Sequence, residues 1–153
     1  GIMTITTQEL IIRLVLAAVL GAIIGLDRRL HSKPAGLRTM SLVSLGAATF
    51  TLVGVSAMLQ LVNAEQEAGL QQMLRLDTSR VIAGIVGGIG FLGAGAIIQS
   101  RGRVQGMTTA SGIWMTAAIG VAVGLGQYAL AFCATFLAFV ILVLLKRSFE
   151  EES

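Results

Sequence analysis

The chain is 153 residues long, 55% of them hydrophobic and only 12% charged, with a mean hydropathy of +0.85. A soluble domain carries about a quarter of its residues as Asp, Glu, Lys or Arg, so this composition excludes an ordinary soluble globule and places the chain in lipid. The single cysteine, Cys133, excludes an internal disulfide, and the net charge of +3 comes without the stacking aromatics that accompany nucleic-acid binding.

Five apolar runs are predicted to span as helices: residues 10–26, 40–62, 81–98, 107–125 and 128–145. Each approaches the roughly 20 helical residues that a hydrocarbon core of about 30 Å requires. The runs are continuous and do not alternate with period two, which favours a helical bundle over a barrel. The expected fold is all-α: a polytopic bundle of about five transmembrane helices, a single transmembrane domain over residues 1–153, with no separate soluble C-terminal domain.

In the first run Arg13 follows Glu9 by one helical turn, in the favourable order, and is expected to snorkel to the outer interface. Asp27, Arg28 and Arg29 follow that run, then His31 and Lys33. His31 is the only histidine and has no cysteine nearby, so it is not read as a zinc ligand. Pro34-Ala35-Gly36 can turn the chain sharply and bring Asp27 beside Arg38. That pair is expected to form a structural clamp, with a gate or recognition site as the alternative.

Between the second and third runs, Leu70, Met73, Leu74 and Leu76 could lie along the membrane interface. Asp77 is placed to cap the third helix, against the alternative of an external ion site. Gly88 to Gly93 matches GxGxxG, yet a dinucleotide site would need a preceding strand, a βαβ unit and a later acid. The glycines instead recur every three or four residues: Gly84 with Gly88, Gly87 with Gly90, Gly21 with Gly25, Gly120 with Gly124. Such spacing makes a smooth face for close helix packing, although an unwound helix offering carbonyls to an ion stays open. Thr108, Thr109, Ser111 and Thr116 of the fourth run have no general base in their segment. They are read as interhelical or backbone hydrogen-bonding groups, with a polar pore lining as the alternative, and the chain is read as no enzyme.

Eight of the eleven Lys and Arg residues fall in three places: the loop after the first run, the loop after the third (Arg101, Arg103) and the end of the fifth (Lys146, Arg147). These share one side. The positive-inside bias therefore predicts an outer N-terminus and a cytoplasmic C-terminus, with the basic surface meeting anionic headgroups and no nucleic acid.

Three stretches, GAIIGLDRRLHSKPAGLRTMSLV from Gly21, DTSRVIAGIVGGIGFLGAGAII from Asp77 and GMTTASGIWMTAAIGVAVGLGQY from Gly106, resemble the MgtC/SapB family of bacterial inner-membrane proteins. The family commonly has Glu where this chain has Asp27. The resemblance implies a role in magnesium limitation, intracellular survival or membrane energetics, some members being proposed to restrain the proton-driven ATP synthase. By motif match it marks Asp27, Arg28, Pro34, Gly36, Arg38 and Thr39; Asp77, Arg80, Gly90, Gly93 and Gly95; and Gly106, Thr108, Thr109 and Trp114. No cofactor is expected, and no metal ligand set can be named. Two classes of function stand: a membrane-embedded regulator whose glycine faces bind a second copy or a partner helix, and a magnesium or proton channel or carrier. The runs hold no interior acid, which favours the regulator.

Overall fold

The computed structural model describes residues 4–68 and 78–150. Thr6 starts the first helix, α1 (Thr7–Leu30), by accepting the Glu9 amide on its hydroxyl at 3.2 Å. This satisfies one of the donors that a helix start leaves free. Along α1 the buried positions Ala17, Leu20, Gly21, Ile24, Gly25 and Arg28 recur every three or four residues and make one stripe. The other faces carry exposed Ile11, Val15, Val19 and Ile23, apolar side chains suited to lipid rather than water.

The chain leaves α1 through left-handed residues Ser32 (φ 52°) and Ala35 (φ 54°) and reverses into α2 (Leu37–Ala68). At 32 residues α2 is about 48 Å long, so it absorbs the start of the segment read as an outer loop. Leu70, Met73, Leu74, Leu76 and Asp77 lie outside the described residues. The third helix, α3, covers Thr78–Ala96 and stops short of the expected Ile98. Ile98 instead belongs to a small antiparallel ladder, β1 (Ile98–Ser100) with β2 (Arg103–Gln105), in which Gln99 pairs Val104. Arg101 (φ 50°) and Gly102 (φ 75°) supply the two positive-φ positions of a tight hairpin turn.

The fourth helix, α4 (Met107–Gly124), ends in a Schellman motif. The Gly126 amide donates to the Val123 carbonyl and the Gln127 amide to the Ala122 carbonyl, each at 2.9 Å, with Gly126 at φ 75°. The chain then enters α5 (Tyr128–Glu150). All five helices are long and apolar enough to cross a membrane, matching the five runs in number and order.

α2 packs against both α1 and α4, and α4 is the central element. Glycine makes these approaches possible. A Cβ on Gly21 would lie 2.5 Å from the Met40 carbonyl oxygen, and one on Gly124 would lie 2.8 Å from the Thr51 Cβ; one on Gly120 would overlap the Ser44 carbonyl. Ile24, Met40, Thr51, Thr116, Ile119 and Val123 are fully buried between the helices and fill the middle of the bundle. In lipid, such contact holds helices together where the hydrophobic effect cannot.

The glycines of α3 behave differently. A Cβ on Gly84, Gly87, Gly88, Gly90 or Gly95 would meet nothing within 4 Å, and only Ile85 and Gly93 of α3 are buried. The glycine-rich packing therefore divides: α1 and α4 spend theirs within the bundle, whereas α3 presents most of its own outward.

Candidate functional site

The buried stripe of α1 carries an arginine toward each end, Arg13 and Arg28, fifteen positions apart. That spacing is about 22 Å along the helix axis.

At the first end Arg13 is held on several sides. Its Nε donates to Glu9 Oε1 and its Nη1 to the Gly124 carbonyl, both at 2.9 Å. Tyr128 donates its hydroxyl to the same Glu9 oxygen at 2.8 Å. One guanidinium thus joins α1, the last turn of α4 and the start of α5, and it answers a carbonyl that the helix end leaves without an intrahelical partner. Snorkelling does not describe Arg13; it points into a joint between helices.

At the second end Arg28 is only 5% exposed. Its Nη2 donates to the Pro34 carbonyl at 3.2 Å and also to the Thr109 hydroxyl on α4. Its Nε is buried with no partner among the described residues. Beside it Asp27 is 8% exposed, and the His31 Nδ1 stands 3.3 Å from Asp27 Oδ1 and 2.9 Å from its main-chain oxygen.

The expected Asp27–Arg38 clamp is not among the ion pairs of the described residues, in which Asp27 stands with His31. The helical start explains this. Because α2 begins at Leu37, Arg38 lies in its first turn, two positions before buried Met40 and therefore about 200° round the helix from it. Arg38 is exposed and lines a shallow recess with Arg29 and Thr39.

A cavity of about 810 Å³ opens where α1 ends, α4 begins and α5 ends. Among the described residues, Arg28, Lys33 and Lys146 bring positive charge to its lining, Asp27 the one carboxylate, and Thr108 and Thr109 the first turn of α4. Gly106 caps α4 at φ 88° without a side-chain hydrogen bond, and a Cβ there would overlap the Ala96 carbonyl. Glycine is required at that position on both counts.

The structure therefore gathers Asp27, Arg28, Pro34, Gly106, Thr108 and Thr109 at one site. Gly36 lies nearby as packing: a Cβ on Gly25 would sit 2.8 Å from its carbonyl oxygen. Arg80 and Trp114 are exposed elsewhere, and Gly93 faces Ala110, whose Cβ would be 3.7 Å from a Cβ on Gly93. Gly90 and Gly95 belong to the open face of α3. Ser111 and Thr116 bond back to the carbonyls of Met107 and Gly112 at 2.9 and 2.7 Å, so of these hydroxyls it is Thr109 that reaches an arginine across helices. The Glu9–Arg13 pair follows the expected helical spacing, whereas Lys33, Lys146 and Tyr128 were not singled out from the sequence as partners in these two clusters.

The chain matches the model of the MgtC family over residues 14–150. It is 38% identical to YhiD of Escherichia coli K12 over 89% of this chain and 60% of YhiD. It is 40% identical to SrpB of Synechococcus elongatus over 88% of this chain and 74% of SrpB. With MgtC of Salmonella typhimurium LT2 the identity is 38%, over 90% of this chain and 53% of that protein. The chain thus spans little more than half the length of YhiD and MgtC. No solved structure matches it significantly.

Proposed function

The chain belongs to the MgtC family, and from that premise we propose that it is a membrane-embedded regulatory or interaction protein of the bacterial inner membrane, serving the response to magnesium limitation. The observation that carries this reading over a conduit is the filled centre of the bundle. Ile24, Met40, Thr116, Ile119 and Val123 are fully buried there, and the glycines of α1 and α4 bring backbones into contact. A path for Mg²⁺ would have to open this packing and offer octahedral oxygen ligands to an ion that sheds water reluctantly. The positive lining of the end cavity adds a further barrier to cations.

The reading includes an outer N-terminus and a cytoplasmic C-terminus, supported by the gathering of basic residues at one end of the bundle. It also includes assembly, with the open glycine face of α3 packing on a second copy, since a self-complementary face suffices for a two-fold contact. We further infer a non-enzymatic role; the engagement of Thr109, Ser111 and Thr116 in hydrogen bonds supports it. Intracellular survival and control of membrane energetics belong to the same proposal.

The second reading, a magnesium or proton channel or carrier, draws on the name of YhiD as a candidate magnesium transporter. Purified protein in liposomes, assayed for magnesium and proton flux, separates the two. Flux equal to that of empty liposomes is expected; protein-dependent, saturable magnesium entry would reject the regulatory reading.

A further inference from the structure

We propose that the cavity between the end of α1, the start of α4 and the end of α5 binds a phosphate group, carried into it by an anionic phospholipid. This goes beyond the regulatory reading and stands independently of it.

Among the described residues the lining sets three cationic side chains, Arg28, Lys33 and Lys146, against one carboxylate, that of Asp27. Arg28 is the centre of the site. Only 5% of it is exposed, and Pro34 and Thr109, whose oxygens hold its Nη2, line the cavity with it, so the guanidinium is fixed at the cavity wall. Its Nε remains buried and without a partner among the described residues. An unmatched buried donor keeps the guanidinium short of acceptors, and a phosphate is the group that its planar set of donors fits best at the cavity wall.

A second feature converges on the same space. The 18-residue helix α4 begins here with a glycine cap, no side-chain hydrogen bond at the cap and no acid in its first turn. Its leading amides and the positive end of its dipole are therefore free of an internal anion. Asp27 shares the lining and offsets part of the charge of neighbouring Arg28, with its Oδ1 3.3 Å from the His31 Nδ1.

The far wall selects the source of the phosphate. Ile141, Leu142 and Leu145 of α5 line the cavity, and Ile141 and Leu145 are more than half exposed on the outer face of that helix. A lipid headgroup can enter the basic end while its acyl chains stay along α5, which an inorganic anion has no use for. The cavity of about 810 Å³ is ample for a glycerophosphate headgroup.

Native mass spectrometry of the purified protein tests this, with phosphatidylglycerol and phosphatidylcholine of identical acyl chains added in equal amounts. Wild type should retain phosphatidylglycerol at least about tenfold better, and Lys33→Gln/Lys146→Gln should lose about tenfold of that retention, as expected for removal of charge-assisted hydrogen bonds. Arg101→Gln, on the exposed hairpin tip outside the cavity, should match wild type. Arg28→Gln should lose at least as much; should it fail to fold, the lysine pair decides. Retention unaffected by millimolar inorganic phosphate supports the lipid headgroup, whereas displacement by it supports the same phosphate site filled from solution. Equal retention of both lipids, or full retention by the lysine variant, overturns the proposal.

Discussion

Arg13 on α1 donates through Nη1 to the main-chain oxygen of Gly124 on α4, joining at 2.9 Å two residues 111 positions apart. The same guanidinium holds Glu9, which also accepts from Tyr128. Three helix ends therefore depend on one side chain. Gly126 is part of the arrangement, since a Cβ there would lie 2.8 Å from Arg13 Nη2.

Removing Arg13 should loosen all three ends together. Arg13→Gln and Tyr128→Phe are each expected to lower the melting temperature in detergent, and the double variant to lose less than the sum of the two. Strict additivity in fluorescence-detected thermal melts would show that the groups do not act as one network.

Glycine substitutions should separate internal from external faces. Gly120→Leu drives a side chain into the α2 backbone at Ser44 and is expected to cost at least about 1–3 kcal/mol of fold stability. Gly90→Leu meets open space and should leave the melt unchanged while shifting the mass of the solubilised particle toward monomer. Wild-type protein that stays monomeric in bilayers across a wide concentration range would remove the case for α3 as a self-association face.

Charge exchange tests what replaced the expected clamp. Because Asp27 stands with His31 and Arg38 is exposed on a different face, Asp27→Arg and Arg38→Asp should have independent effects on folded yield. Asp27→Arg should be the more damaging, since it sets a third basic group beside buried Arg28. Recovery of yield in the double exchange would reinstate a direct pair.

Much of this was legible in the chain. The five runs follow from continuous apolar length, and which loops lie at the same end of the bundle follows from their order. Arg28 was also legible in principle: with Gly21, Ile24 and Gly25 it keeps the three- and four-residue spacing of the buried stripe, so its burial could be read from phase alone. The Asp27–Arg38 pairing misled because a turn brings chain segments together without fixing which face of the next helix its residues occupy. The Glu9–Tyr128 bond had no local signal, since 119 residues separate the partners. The hairpin was hidden because Ile97 and Ile98 prolong the apolar run that the helix leaves at Ala96.

Topology should follow the basic end. In a Cys133→Ala background, Lys33→Cys should react with a membrane-impermeant maleimide only after the cells are opened, and Gln127→Cys in intact cells. Both positions are exposed, so reactivity reports sidedness. The reverse pattern would invert the bundle.

The hairpin makes α3 and α4 one lever. Gly106 lies so close to the Ala96 carbonyl that no side chain fits between them, and the β1–β2 ladder closes the loop above that contact. The end of α3 is thereby tied to the first turn of α4, where Thr109 holds Arg28. The open face of α3 and the mouth of the basic cavity are therefore joined through one short hairpin, a path from the plane of the membrane to its surface.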